Sequence, residues 1–190
     1  MNKGVFIVVS GPSGVGKDTL VDELVKEDYG IYSVSMTTRK RRNNEVEWVD
    51  YFYRDINTFE DYIRKDKFLE YAKYNNNYYG TLKDFVFDKI NMGINVFAVI
   101  DVQGALQIKK VFPEAVSIFI MPPSFEELER RLRNRNTDSE EDIINRLNIA
   151  KSEITYKDKY DYTVINNTVD KAVIDIKNII DNEKKKINTD

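Results

Sequence analysis

The chain contains no histidine and no cysteine. Those two absences exclude a Ser-His-Asp triad, a thiolate nucleophile, a disulfide, a His/Cys zinc site and a phosphohistidine intermediate. Any catalysis must run on Asp, Glu, Lys, Arg, Tyr, Ser or Thr, and any metal must be a hard ion held by oxygen. With only four prolines, no proline-rich linker divides the chain, and no internal repeat or low-complexity tract is present. No apolar run approaches the roughly 18 residues that a membrane span needs. The N-terminal stretch MNKGVFIVVSGPSG passes from one lysine into a glycine-rich turn, unlike a cleavable signal peptide, so a cytoplasmic protein without membrane insertion is expected. An excess of positive charge is also lacking: 29 Lys+Arg stand against 32 Asp+Glu, for a net charge of -3, which argues against a nonspecific nucleic-acid binder. What remains is 190 residues, 42% of them hydrophobic, enough for one domain with its own core.

Three short runs, Val5–Ser10, Val96–Ile100 and Ser117–Met121, are apolar at nearly every position. Such runs suit parallel strands covered on both faces. Between them the spacing predicts helices over Thr19–Lys26, Lys83–Met92 and Gly104–Val111. Strand and helix in alternation imply an α/β fold around a parallel sheet. Ser124 and Glu127 form a capping-box pattern opening a helix to about Arg133. A polar break at Asn134–Ser139 precedes a second helix from about Glu140 to Glu153, and a last strand, Tyr162–Ile165, leads into a final helix, Val169–Lys186. The stretch from Ser33 to Thr81 differs, with alternating residues rich in Tyr and Phe that predict a small antiparallel sheet inserted into the core.

Gly11-Pro12-Ser13-Gly14-Val15-Gly16-Lys17 follows the first strand and precedes the first helix, the context in which a G-x-x-x-x-G-K loop binds phosphate. Its glycines let successive N–H groups curl around phosphate oxygens, the helix start adds partial positive charge, and Lys17 reaches the β/γ-phosphates. The motif therefore implies a nucleoside triphosphate, with Mg²⁺ as its companion ion. The Ser or Thr that usually follows the lysine is replaced by Asp18, with Thr19 next. Asp18 or Thr19 is a candidate Mg²⁺ ligand, and Asp18 is equally readable as a first-turn acid stabilising the helix. Asp101, at the end of the second apolar run, is readable as an acid that holds Mg²⁺ beside the phosphate loop, since parallel strands end at the same crevice, or as one that only caps the loop ahead of Gly104.

The acceptor is specified by further motifs: Ser35-Met36-Thr37-Thr38-Arg39-Lys40-Arg41-Arg42, Glu45-Val46, Val49-Asp50-Tyr51-Phe52, Phe68-Leu69-Glu70-Tyr71-Ala72 and Asn77-Tyr78-Tyr79-Gly80-Thr81. With Ile100–Gly104, Arg131, Arg135, Thr137–Glu140, Arg146 and Tyr160-Asp161-Tyr162, they closely resemble the guanylate kinase family over nearly the whole chain. Independently of that, Arg39 and Arg42 with the phenols of Tyr51 and Tyr79 offer donors for a monophosphate. Glu70 can accept from the N1–H and 2-amino edge of guanine, with Ser35 and Thr81 available to the other polar atoms. The resemblance implies the same allocation, with Asp101 also near the acceptor. It implies further that Arg131, Arg135 and Arg146 close over the phosphates and, with Lys17 and Arg39, neutralise charge during transfer.

Expected on this reading is a core of 1–33, 85–124 and 156–190, a GMP-binding insert at about 34–84 and a helical lid at about 125–155. Substrates would be ATP and GMP, and a homodimer is compatible with the sequence. The chain departs from the family pattern at Asn43-Asn44, at Trp48 where glycine is usual, at Val99 where an acid is usual, and at Asn166-Asn167-Thr168 in the segment that lies near the donor base in the family. A protein-binding module that has lost catalysis is the rival from another class; it is disfavoured by the intact Gly11–Lys17 loop.

Overall fold

The computed structural model describes residues 2–134 and 139–189. Five strands, β1 (Phe6–Ser10), β2 (Ile31–Tyr32), β7 (Val96–Val99), β8 (Val116–Met121) and β9 (Tyr162–Ile165), form one sheet in the order β2-β7-β1-β8-β9. Every pairing in it is parallel. β1 is central and buried at all positions, so side chains alternating along it enter two different cores. Val5, Ile7 and Val9 pack with residues of helices α1 (Lys17–Lys26), α5 (Phe125–Arg133), α6 (Glu140–Ile154) and α7 (Val169–Thr189). Phe6 and Val8 pack on the opposite face with residues of α3 (Lys83–Asn91) and α4 (Val102–Val111). Burial on both faces explains why these strands carry no polar alternation.

The second sheet has the order β4-β3-β6-β5, from β4 (Tyr51–Tyr53), β3 (Ser35–Thr37), β6 (Asn77–Leu82) and β5 (Phe68–Tyr74). The antiparallel expectation holds for β3–β6 and β5–β6, whereas β3 and β4 pair in parallel, making this sheet mixed. The connection 38–50 is long enough for the crossover that a parallel pair requires. β5 and β6 are joined by Asn75 and Asn76, both with positive φ, 45° and 62°, the twist that a two-residue hairpin favours. Trp48, where the family pattern has glycine, also sits at positive φ, 72°. Its ring recovers part of that cost against Phe52, at 5.0 Å, and beneath the Arg54 guanidinium. Helix α2 (Ile56–Arg64), absent from the sequence-based expectation, is capped by Asp55, whose side chain accepts the Thr58 N–H. Its Phe59 is stacked on Phe68 and Tyr78 at 4.5 and 5.1 Å, giving this sheet a core of its own.

Helix starts follow the expected chemistry. Ser139 and Asp142 form a reciprocal capping box on α6. At α5 only half of the anticipated box is made: Ser124 accepts the Glu127 N–H, and the Glu127 carboxylate binds Arg130 and Arg131. Among the described residues, no helix is long and apolar enough to cross a membrane.

Candidate active site

Parallel strands deliver their C-terminal ends to one crevice, and the loop from β1 to α1 lies there. Gly11 adopts φ 145°, and a Cβ at that position would stand 2.3 Å from the Ile120 carbonyl oxygen, so only glycine fits. Gly16 caps α1 in the left-handed region, at φ 93°. Lys17 donates to the carbonyls of Gly11 at 2.6 Å and Pro12 at 3.0 Å, which holds its ammonium over the loop. Asp18 and Thr19 are exposed in the first turn of α1, where Asp18 also complements the helix dipole.

The loop is braced from beneath by a residue that the sequence did not single out as functional. Asn166, buried after β9, donates from Nδ2 to the Val15 carbonyl at 2.8 Å. Arg131 donates to the Asn166 carbonyl at 3.0 Å and to Glu127 at 2.8 Å, so its guanidinium ties α5 to the underside of the loop. Arg146 donates to Ser13 Oγ at 2.8 Å, directly on the loop. Arg135 lies outside the described residues. Arg130 and Arg133, by contrast, bind neighbouring glutamates on exposed surface.

A second cavity, of about 320 Å³, opens between the small sheet and the end of β7. It brings together Ser35, Tyr51, Glu70, Tyr79 and Asp101, all expected to meet the acceptor, with Gly104 in its wall. A register shift between Phe68 and Glu70 marks a bulge in β5. The bulge buries successive residues: Leu69 enters the core beneath the parallel sheet, and Glu70 turns into the cavity. Glu70 is 9% exposed, and its Oε1 accepts the Thr81 hydroxyl at 2.7 Å. Burial, reinforced by the charge of Asp101, pushes its pKa above the ordinary 4.5, while the Thr81 contact opposes that shift. Thr81 thus stands behind Glu70 and orients it. Of the two readings of Asp101 the cap is observed: its Oδ1 accepts the Gly104 N–H at 2.8 Å at the start of α4, and the residue also lines the cavity.

Arg39 lies over the Tyr51 ring, 5.4 Å from its centroid, and is gripped by Glu45 through two bonds of 2.7 and 3.0 Å. Glu45 is a further site residue to which no role was assigned from sequence. The Arg39 guanidinium, then the Arg42 N–H and the Tyr53 hydroxyl, lower its pKa to about 2 against the cost of partial burial. The clip fixes the guanidinium fork before any ligand arrives. The Arg42 side chain is exposed beyond the cavity wall.

The site thus combines a glycine-shaped loop carrying a lysine with a cavity lined by Tyr51 and Tyr79, with Arg39 lying over the Tyr51 ring and a carboxylate at its floor. The sequence profile of the guanylate kinase family matches residues 3–183. The chain belongs to the guanylate kinase family. It is 49% identical over 185 residues to a guanylate kinase of Oceanobacillus iheyensis, covering 97% of this chain and 90% of that one. A guanylate kinase of Streptococcus thermophilus is 50% identical over 183 residues, covering 95% of this chain and 88% of its own length. The crystal structure of guanylate kinase from Anaplasma phagocytophilum superposes with a TM-score of 0.71 at 34% identity, over 96% of this chain and 87% of that one.

Arg146, expected from the sequence to act as a lid cation, donates to Ser13 of the Gly11–Lys17 loop. Arg146→Ala is expected to lower kcat at least about 30-fold while changing the GMP KM less than about threefold, because the contact matures as charge develops in transfer. Arg130→Ala, on exposed surface, should leave both constants unchanged. Steady-state kinetics on the two variants checks the pair; a normal kcat with weakened GMP binding in Arg146→Ala contradicts it.

Proposed function

We propose that this protein transfers the γ-phosphoryl group of ATP to GMP, giving ADP and GDP. The observation that carries the reading is the buried Glu70 carboxylate, held by Thr81 at the floor of a cavity that opens between the small sheet and the end of β7. Guanine presents two adjacent donors, N1–H and the 2-amino group, to such an acceptor, and Ser35 and Asp101 line the same cavity. Arg39, Tyr51 and Tyr79 take the acceptor monophosphate, with Arg39 pre-oriented by Glu45; the exposed Arg42 side chain joins them only by swinging inward. The loop from Gly11 to Gly16 and Lys17 take the donor phosphates.

Transfer is direct and in line, with no covalent enzyme intermediate, so the protein contributes position and charge neutralisation. Lys17 and Arg146, helped by Arg131 and Arg135 of the lid, offset charge on the transferring group. Closure of the segment 34–84 and the lid 125–155 over the core excludes water and so suppresses hydrolysis. Among the described residues no group of three or more acidic side chains could cage a metal. Mg²⁺ needs only one or two protein carboxylates, the rest of its shell coming from water and the substrate's own phosphates. Asp18, Thr19 and Asp101 are the oxygens near enough to the crevice to serve it, and the ion when bound would offset phosphate charge.

An acceptor panel tests the reading. With ATP and Mg²⁺, ADP release coupled to NADH oxidation should be fast with GMP and at least about 10³-fold lower in kcat/KM with AMP, CMP and UMP. Comparable rates across the four would overturn it.

A further inference from the structure

One carboxylate in the phosphate crevice has no part in the reading above. Glu153 lies in the last turn of α6. Its Oε2 is fully buried and has no hydrogen-bond partner among the described residues. Burial pushes its pKa up, Lys17 and the Ser13 backbone N–H favour its charged form, and Asp101 opposes it. The buried hydroxyl of Tyr160, beside Glu153 and Asp101, completes its surroundings. Two turns earlier on the same helix, Arg146 donates to Ser13 Oγ. Helix α6 therefore brings one cation and one anion to the same residue of the phosphate loop.

The cation needs no explanation in a loop built for polyphosphate; the anion does. A carboxylate beside the loop N–H groups repels a bare triphosphate, because like charges at close range in a partly desolvated crevice are strongly unfavourable. Mg²⁺ weakens that repulsion by lowering the net negative charge of the triphosphate, and since it keeps several of its waters, it also brings O–H donors from which an unpartnered carboxylate oxygen can accept hydrogen bonds. We infer that Glu153 is a specificity-determining residue, making the loop discriminate the Mg²⁺ complex of the donor from the metal-free nucleotide. The inference rests on the donor assignment proposed above for Gly11–Lys17.

The test is calorimetric titration of ATP into the protein without GMP, once with Mg²⁺ and once with EDTA, giving the ratio of the metal-free to the Mg²⁺-complexed Kd. Glu153→Gln keeps the shape and removes the charge. It should tighten metal-free ATP roughly tenfold, leave MgATP equal or weaker, and so cut the ratio by at least about tenfold. Glu153→Asp, which keeps the charge, should keep most of the ratio. If the amide variant does not fold, Glu153→Met is a second neutral replacement with the same expected ratio. An unchanged ratio in the neutral variant overturns the inference; so does equal weakening of both forms, which is what mere support of α6 would produce. Phosphorylation of GMP by the unsubstituted chain is measured alongside. An active chain whose ratio ignores Glu153 removes this inference alone, whereas a chain that neither binds ATP nor phosphorylates GMP removes the underlying reading with it.

Discussion

Lys17→Ala is expected to lower kcat by about 10³-fold or more, with the melting temperature nearly unchanged. Lys17 is the one side-chain cation that the loop sequence Gly11–Lys17 itself supplies, and its ammonium is held at 2.6 and 3.0 Å from two carbonyls of that loop. Those carbonyls keep the charge over the nest without fixing it in the core, so the chain can extend to the donor's β/γ-phosphates. A preorganised charge contact to a group that gains negative charge in the transition state contributes several kcal/mol, and each ~1.4 kcal/mol is a factor of ten in rate. The fold does not depend on it, because the loop is shaped by its glycines and braced by Asn166 and Arg131 from the opposite side. Steady-state turnover together with a thermal melt checks both halves. Activity within about tenfold of the unsubstituted chain would remove Lys17 from the chemistry.

Glu70→Gln is expected to have the second large effect, on discrimination rather than on turnover alone. The carboxylate only accepts, and adenine would face it with the N1 lone pair, acceptor against acceptor. Unpaired polar groups in a site built for hydrogen bonds give discrimination on the order of 10⁴. The amide replaces one acceptor by a donor, loses a charge-assisted bond worth roughly 1.5–3 kcal/mol, and should lower kcat/KM for GMP roughly 10- to 150-fold. Because the amide can donate to adenine N1, the GMP-over-AMP ratio should narrow further. The pH dependence has a defined sign: with its pKa pushed above 4.5 by burial and Asp101, Glu70 takes up a proton earlier on acidification than an exposed carboxylate does. GMP KM should therefore rise as pH falls, at a pH above that of ordinary glutamate titration, and Glu70→Gln should lose that rise. A ratio untouched by the substitution would mean that Glu70 does not read the base.

The residues that announce the site are those whose role is local in sequence. The phosphate loop is legible because an all-apolar strand, glycines at fixed spacing, a lysine and a helix follow one another within Val5–Lys26. Glu70 is legible through its motif, although the bulge that turns it inward is a property of the β5–β6 pairing. What escaped the sequence depends on distant partners or on competing patterns. The direction of β4 against β3 is decided by the crossover 38–50, not by either strand's composition. Helix α2 carries its own signals in the Asp55–Thr58 cap and in Ile56, Phe59 and Ile63 at helical spacing, but these lie within a stretch whose alternating aromatics dominate the local pattern. β2 has two residues and no periodicity to read. Asn166 meets Val15, and Glu153 meets the loop around Ser13, only because the fold closes chain segments far apart in sequence. Trp48 shows the converse: its positive φ explains why glycine suits that position, a reason invisible until the backbone is seen.

The central claim is that one crevice holds ATP and GMP together and passes a phosphoryl group directly between them. Phosphorus NMR of the protein mixed with ATP, GMP and Mg²⁺ follows every phosphorus atom of that transfer at once. ADP and GDP should appear in equal amounts, with no inorganic phosphate beyond that formed when GMP is left out. ADP accompanied by inorganic phosphate instead of GDP would contradict the account.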